Sequence, residues 1–185
     1  VSRCAELLQK RGWRVTRIGC DPQGVVKLDH IENALRDETR LISIMHVNHE
    51  IGTIQPIRDL RELCDGRPIH IHTDACQSAG KLNCDVEILG VDLLSLSGHK
   101  MYAPKGVGAL YVKSGIPIQP ILGGEYQESG IRPGMENVPS IVGLGQAARL
   151  ATDGQSDILD RLQSLSDRFL AKLEQRLEWQ ALGAG

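Results

Sequence analysis

Three short apolar runs, at residues 41–45 (LISIM), 69–73 (IHIHT) and 91–96 (VDLLSL), each stop abruptly in polar residues, and helical spacing separates the first two. Alternation of this kind confines the chain to an α/β fold with a mainly parallel sheet, because parallel neighbours need a crossover connection between them. Open sheets of that class bind ligands outside the carboxyl ends of their strands. The polar clusters that follow the runs are HVNHEIG at 46–52, the segment from Asp74 onward, and SGHK at 97–100. They are predicted to converge on one sheet edge.

The rest of the chain fits around these runs. Residues 1–11 read as a helix, and residues 14–20 alternate loosely before a turn by composition at 21–24 (DPQG). Leu28, Ile31, Ala34 and Leu35 give residues 28–36 a helical stripe. Residues 57–64 read as a helix, 86–89 as a short helical turn, and 106–112 as a returning strand. Glycine and proline punctuate residues 123–125 and 131–137, a pattern of binding loops rather than packed elements. Residues 139–150 form a small-residue helix. Residues 158–179 form a long amphipathic one, with Leu159, Leu162, Leu165, Phe169, Leu173 and Leu177 on one stripe. Residues 153–156 (DGQS) mark a boundary that divides the chain into 1–150 and a second unit at 151–185. A first residue of Val1 and an end at Gly183, Ala184 and Gly185 lead us to expect a piece of a longer protein.

Composition removes several classes of function. With 21 basic against 23 acidic residues, net charge is −2, which gives no electrostatic reason to expect nucleic acid or an anionic membrane as partner. No apolar run reaches the roughly 18 to 20 residues of a membrane span. The five cysteines, Cys4, Cys20, Cys64, Cys76 and Cys84, are irregularly spaced and contain no Cys-x-x-Cys pair. They fit free thiols in a reducing intracellular compartment, cytosol or mitochondrion, rather than a disulfide framework or zinc site. Aromatic residues make up only 3%, so the core is expected to be Leu, Ile and Val.

Lys100 and Asp74 carry the chemistry. A lysine amine condenses with an aldehyde only when unprotonated, which calls for partial desolvation and nearby positive charge. Ser97 and His99 beside it suit a phosphate. A carboxylate such as Asp74 can hold a pyridine nitrogen in its protonated form. Together these are the parts of a pyridoxal 5'-phosphate site.

Four stretches in order, MHVNHEIGTIQPI, HTDACQSAGKLNCDV, VDLLSLSGHKMYAPKGVGALYV and GIRPGMENVPSIVGLGQAA, span most of residues 41–148. They resemble the cysteine desulfurase and selenocysteine lyase family of class V aminotransferase-like enzymes. The resemblance implies part of the large domain of a fold-type I pyridoxal phosphate transferase, a mostly parallel sheet between helices, with residues 151–185 beginning the small domain. It implies a homodimer, with the loop around residues 132–137 approaching the partner's site, and a possible sulfur-acceptor protein. Lys100 is implied as the lysine bonded to the cofactor, Asp74 as the partner of its ring nitrogen, Gln77 as donor to its phenolic oxygen, and Ser97 and His99 as phosphate ligands. The implied reaction removes sulfur from L-cysteine, or selenium from L-selenocysteine, and leaves L-alanine.

Two positions depart from the family pattern. His49 stands where an asparagine usually hydrogen-bonds the phenolic oxygen, a role an imidazole N–H can still fill. Met135 stands where threonine often reaches the partner's phosphate, and a thioether has no such donor. The family's stacking histidine, catalytic cysteine and substrate-binding arginine have no counterpart in this sequence, and Cys76 does not occupy the nucleophile's position. Rival readings are a divalent-metal site built on His46, His49, His70, His72 and Asp74, transamination on the same scaffold, and an inert truncated homologue with a structural or dimer-forming role. No residue is assigned as a metal ligand.

Overall fold

A computed structural model describes residues 2–176. A first helix, α1 (Ser2–Lys10), precedes the turn predicted at 21–24. There Asp21 Oδ1 accepts the backbone N–H groups of Gln23 and Val25 at 3.0 and 2.9 Å. The loosely alternating residues 14–20 form no strand, only an isolated bridge of Cys20 to Val26 across that turn. The core then alternates: α2 (Leu28–Ala34), β1 (Leu41–Met45), α3 (Ile57–Leu63), β2 (His70–Asp74), α4 (Val86–Leu89), β3 (Leu93–Ser97) and β4 (Gly108–Val112).

The four strands lie in sequence order, β1 to β3 parallel and β4 antiparallel to β3. Register sets Met45 beside Asp74 and Asp74 beside Ser95. The carboxyl ends of β1, β2 and β3 therefore share one edge, where the three polar clusters begin.

Side chains alternate across the sheet. One face carries Ile71 and Leu94 into a core with Ile31, Ile57, Leu60, Cys64, Ile69, Leu89 and Val91, supplied by α2, α3, α4 and the strand entrances. This core is aliphatic, as the scarcity of aromatics requires. The other face carries Leu41, Ser43, Met45, His72, Asp74, Ser95 and Leu110, and among them Leu41, Met45 and Leu110 are exposed.

At the amino ends of the strands, Asp92 is only 7% exposed. Its carboxylate accepts from Arg61 Nη2 and from the Ile71 N–H at 2.9 Å, while Arg61 Nε donates to Gly90 O at 2.6 Å. Gly90 closes α4 at φ 67°, and a Cβ there would stand 2.7 Å from Arg61 Cγ. A residue with a side chain would be strained by its backbone and would displace the arginine as well.

After β4, a short 3-10 turn (Gln127–Gly130) interrupts the loop, and two helices follow, α5 (Val138–Asp153) and α6 (Gln155–Glu174), separated only by Gly154. Asn137 caps α5, its Oδ1 accepting the Ser140 N–H at 3.3 Å. The stripe of α6 is exposed at Ile158, Leu162, Leu165 and Phe169. The predicted continuation of that helix through residues 177–179, with Leu177 on its stripe, lies outside the described residues, as do residues 183–185.

Candidate active site

β2 ends in Asp74, whose backbone is locked by both neighbours: His46 N–H donates to Asp74 O at 2.9 Å, and Ala75 N–H donates to Ser95 O at 2.9 Å. Its carboxylate Oδ1 accepts the Cys76 N–H at 3.0 Å. Beneath it on the same face, His72 is held by two hydroxyls, with Nδ1 2.8 Å from Ser43 Oγ and Nε2 2.8 Å from Ser95 Oγ. Burial pushes the His72 imidazole below its ordinary value, while the Asp74 charge opposes that shift.

β3 runs into a 3-10 turn, Gly98–Met101, that presents His99 and Lys100 outward and buries Gly98 and Met101. The turn is anchored at its start by Gly98 N–H donating to Val107 O at 2.9 Å. A Cβ on Gly98 would stand 2.9 Å from Val107 O and 3.1 Å from Ala103 Cβ, so the close return of the chain into β4 requires glycine. Ser97 Oγ lies 3.0 Å from His99 Nδ1, pairing the two groups predicted to hold phosphate.

Cys76 reports on both charges at once. Its thiol is pushed up to about 11, first by burial and then by the hydrogen bond and charge of Asp74, with the Lys100 ammonium acting in the opposite direction. A thiol so protonated near neutral pH is a poor nucleophile.

The sequence-predicted residues differ in how they are held. Asp74, Ser97 and His99 have partners. The Gln77 carbonyl accepts Lys81 Nζ at 3.2 Å, whereas its side-chain amide has no hydrogen bond among the described residues. Lys100 departs from the desolvated amine its chemistry calls for: it is exposed. His49 is also exposed and faces its neighbour, with Nε2 3.8 Å from Glu50 Oε1.

The histidines named in the metal reading are dispersed. His46 pairs with Ser78, His72 with Ser43 and Ser95, and His70 lies 3.9 Å from Asp92 at the opposite edge. Among the described residues no three His, Cys, Asp or Glu side chains are grouped to hold a metal ion.

Sequence reasoning missed Lys81, whose Nζ donates to Gln77 O and, at 3.4 Å, to Lys100 O, tying together the turns after β2 and β3. It also missed Asn48, whose Oδ1 accepts the Glu50 and Ile51 N–H groups at 2.8 and 3.1 Å and shapes the loop that carries His49. An asparagine three residues past a strand is an ordinary signal for such a turn.

A mostly parallel α/β sheet that brings a carboxylate, a lysine, a hydroxyl and an imidazole to the carboxyl ends of its strands has the layout in which open α/β sheets bind ligands. The chain belongs to the aminotransferase class-V family, whose model matches residues 2–184. It is 45% identical over 173 residues to the cysteine desulfurase IscS of Clostridium botulinum, covering 94% of this chain and 44% of that protein. Among solved structures, it resembles a NifS-like protein with a TM-score of 0.91 and 37% identity over 95% of this chain and 48% of the other. It also resembles SspA in complex with cysteine, with a TM-score of 0.77 and 43% identity over 80% of this chain and 44% of that one. The chain thus spans under half the length of these relatives. No helix among the described residues is long and apolar enough to cross a membrane.

Proposed function

We propose that this chain carries the lysine side of a pyridoxal 5'-phosphate site, and that its activity is removal of sulfur from L-cysteine to leave L-alanine. One observation carries the reading: Asp74 closes β2 and Lys100 lies in the 3-10 turn that directly follows the adjacent parallel strand β3, so carboxylate and amine come from neighbouring strand ends. The relatives' name and the cysteine bound to a similar structure support the substrate.

The donor set fits the cofactor: a fixed carboxylate for a protonated ring nitrogen, an amine without a hydrogen-bond partner among the described residues for the aldehyde, and a hydroxyl and imidazole for the phosphate. When bound, pyridoxal phosphate supplies an electron sink for negative charge developing on the substrate. Asp74 holds the ring nitrogen's proton. The Cys76 N–H keeps that carboxylate in place. Ser97 and His99 bind the phosphate, and Gln77 and His49 donate to the phenolic oxygen. Lys100 would be the amine that holds the cofactor at its aldehyde carbon, and the same amine would move the proton at the substrate α-carbon. Cys76 does not occupy the family nucleophile's position, and no residue of this chain is assigned as sulfur acceptor.

Selenocysteine cleavage would use the same residues. Release of selenide from L-selenocysteine without sulfide from L-cysteine would move the assignment to the lyase, and keto-acid production without sulfide would move it to transamination. The exposed Ile121, Tyr126 and Met135 of the loop before α5 support a second copy of the chain seated against that loop, as a homodimer would require.

A structural or dimer-forming role without catalysis is the second reading, favoured by the exposure of Lys100 and the pairing of His49 with Glu50. The deciding experiment is an absorbance spectrum of the chain with pyridoxal phosphate, before and after borohydride, beside Lys100→Ala. A visible band trapped by reduction and missing from the variant is the expected result. A folded wild-type chain with no band would overturn the cofactor reading in favour of the second one.

A further inference from the structure

The proposed chemistry leaves one buried polar cluster without a task. His46, the first residue after β1, is 5% exposed, and Ser78, in the turn after β2, is fully buried. His46 Nδ1 lies 3.0 Å from Ser78 Oγ. Cys84 closes the group, its Sγ 3.4 Å from Ser78 Oγ and 3.9 Å from His46 Nδ1. Burial pushes the His46 imidazole below its ordinary value, so the ring is neutral at pH 7. A neutral ring offers one N–H and one lone pair. The Ser78 hydroxyl also lies 3.3 Å from Ala75 O, its natural acceptor. In the Nδ1–H tautomer His46 donates to Ser78 while Ser78 donates to that carbonyl, and in the other tautomer Ser78 donates to Nδ1, so the ring and the hydroxyl are bonded either way.

What the cluster joins gives it a purpose. His46 is also held through its backbone, donating to Asp74 O and accepting from Gln55 N–H, both at 2.9 Å. It opens the loop at 46–52 that carries His49. Ser78 closes the turn at 75–78 that carries Gln77. Those two residues are the donors assigned to one oxygen of the cofactor, and they lie beyond the ends of different strands, β1 and β2.

We propose that His46 is a positioning residue, whose ring, bonded to Ser78, fixes the spacing between the His49 loop and the Gln77 turn while its backbone holds Asp74. The assignment rests on the pyridoxal phosphate reading. It concerns the phenolic oxygen's surroundings rather than the bonding lysine. Disturbing it alters how the bound cofactor titrates without touching any group that contacts it.

The test compares the wild-type chain with His46→Leu, His46→Asn, Ser78→Ala and the double variant His46→Leu/Ser78→Ala. Two quantities are measured: thermal midpoint without cofactor, and the pH midpoint of the visible band with pyridoxal phosphate. His46→Leu and Ser78→Ala are expected to move the pH midpoint in the same direction by about half to one unit, the scale of one lost hydrogen bond. The double variant moves it no further, because both changes remove one shared link. His46→Asn, with an amide nitrogen in the place of Nδ1, keeps the wild-type midpoint. Should His46→Leu not fold, a shift in Ser78→Ala that is absent from His46→Asn supports the proposal equally. Unchanged pH midpoints with lowered thermal midpoints would reduce the cluster to a structural one and overturn the proposal alone. A folded wild-type chain with no band overturns the cofactor reading and the proposal with it.

Discussion

The two edges of this sheet are built by opposite rules. At the amino edge, Asp92, Arg61, Gly90 and the Ile71 N–H close on one another, and the carboxylate is almost wholly buried. At the carboxyl edge, Lys100 and His49 are exposed, and the half-buried Gln77 has no side-chain hydrogen bond among the described residues. Groups satisfied internally stabilise the fold and have nothing left to offer a ligand. Groups left open contribute little to folding and keep their hydrogen-bonding capacity for whatever binds.

The sharpest way to break this contrast is to cut the amino-edge clamp. Asp92→Ala leaves Arg61 and the Ile71 N–H without their acceptor in a buried setting, and should cost about 3 kcal/mol in urea unfolding. A loss below about 1 kcal/mol would mean the clamp is not what distinguishes that edge. At the carboxyl edge the largest effect is in reactivity. With its thiol raised from 9.0 to about 11, Cys76 should alkylate roughly a hundredfold more slowly near pH 8 than a free thiol. Asp74→Asn, which removes the neighbouring charge, should speed it. Equal rates for Cys76 and the exposed Cys4 would show that the carboxylate does not govern this pocket.

Acid offers a third comparison. His46 and His72 both titrate below their ordinary value in the folded chain because burial penalises the charged ring. The unfolded chain therefore binds protons more readily below about pH 6.5, and stability that is fully present above that pH declines as pH falls through it. His46→Asn should flatten the decline in a pH series of unfolding curves. The smallest expected effect is that of Lys100→Ala, which should shift stability by less than about 0.5 kcal/mol, as for an exposed side chain, while abolishing trapping by borohydride. A Lys100→Ala loss comparable to that of Asp92→Ala would erase the distinction between the edges.

The sequence made the alternating elements legible because each strand is a short apolar run bounded by polar residues. Residues 41–45 form β1 as read, while β2 begins one residue later than expected and β3 two. Asp74, Ser97, His99 and Lys100 fall at strand ends for the same reason. What escaped the reading depends on contacts between distant residues. The bond of His46 to Ser78 and the bridge from Lys81 to two carbonyls join positions that no local periodicity relates, whereas the returning strand read at 106–112 is present as β4. The loose alternation at residues 14–20 yields only the Cys20–Val26 bridge and no strand among the described residues. The exposure of Lys100 was equally hidden, because desolvation depends on what covers a residue and not on its own run.

The antiparallel return of β4 also decides how the lysine is tethered. Ser97 pairs with Gly108 across the two strands, and the Gly98 N–H is bound to Val107 O, so the lysine-bearing segment is a short loop stitched shut at its base. Its backbone has little room to wander, while the four methylenes of Lys100 stay free to rotate. In the role proposed for Lys100, the amine would let go of a partner and come back to it by turning bonds in its own side chain, with the anchor point unmoved.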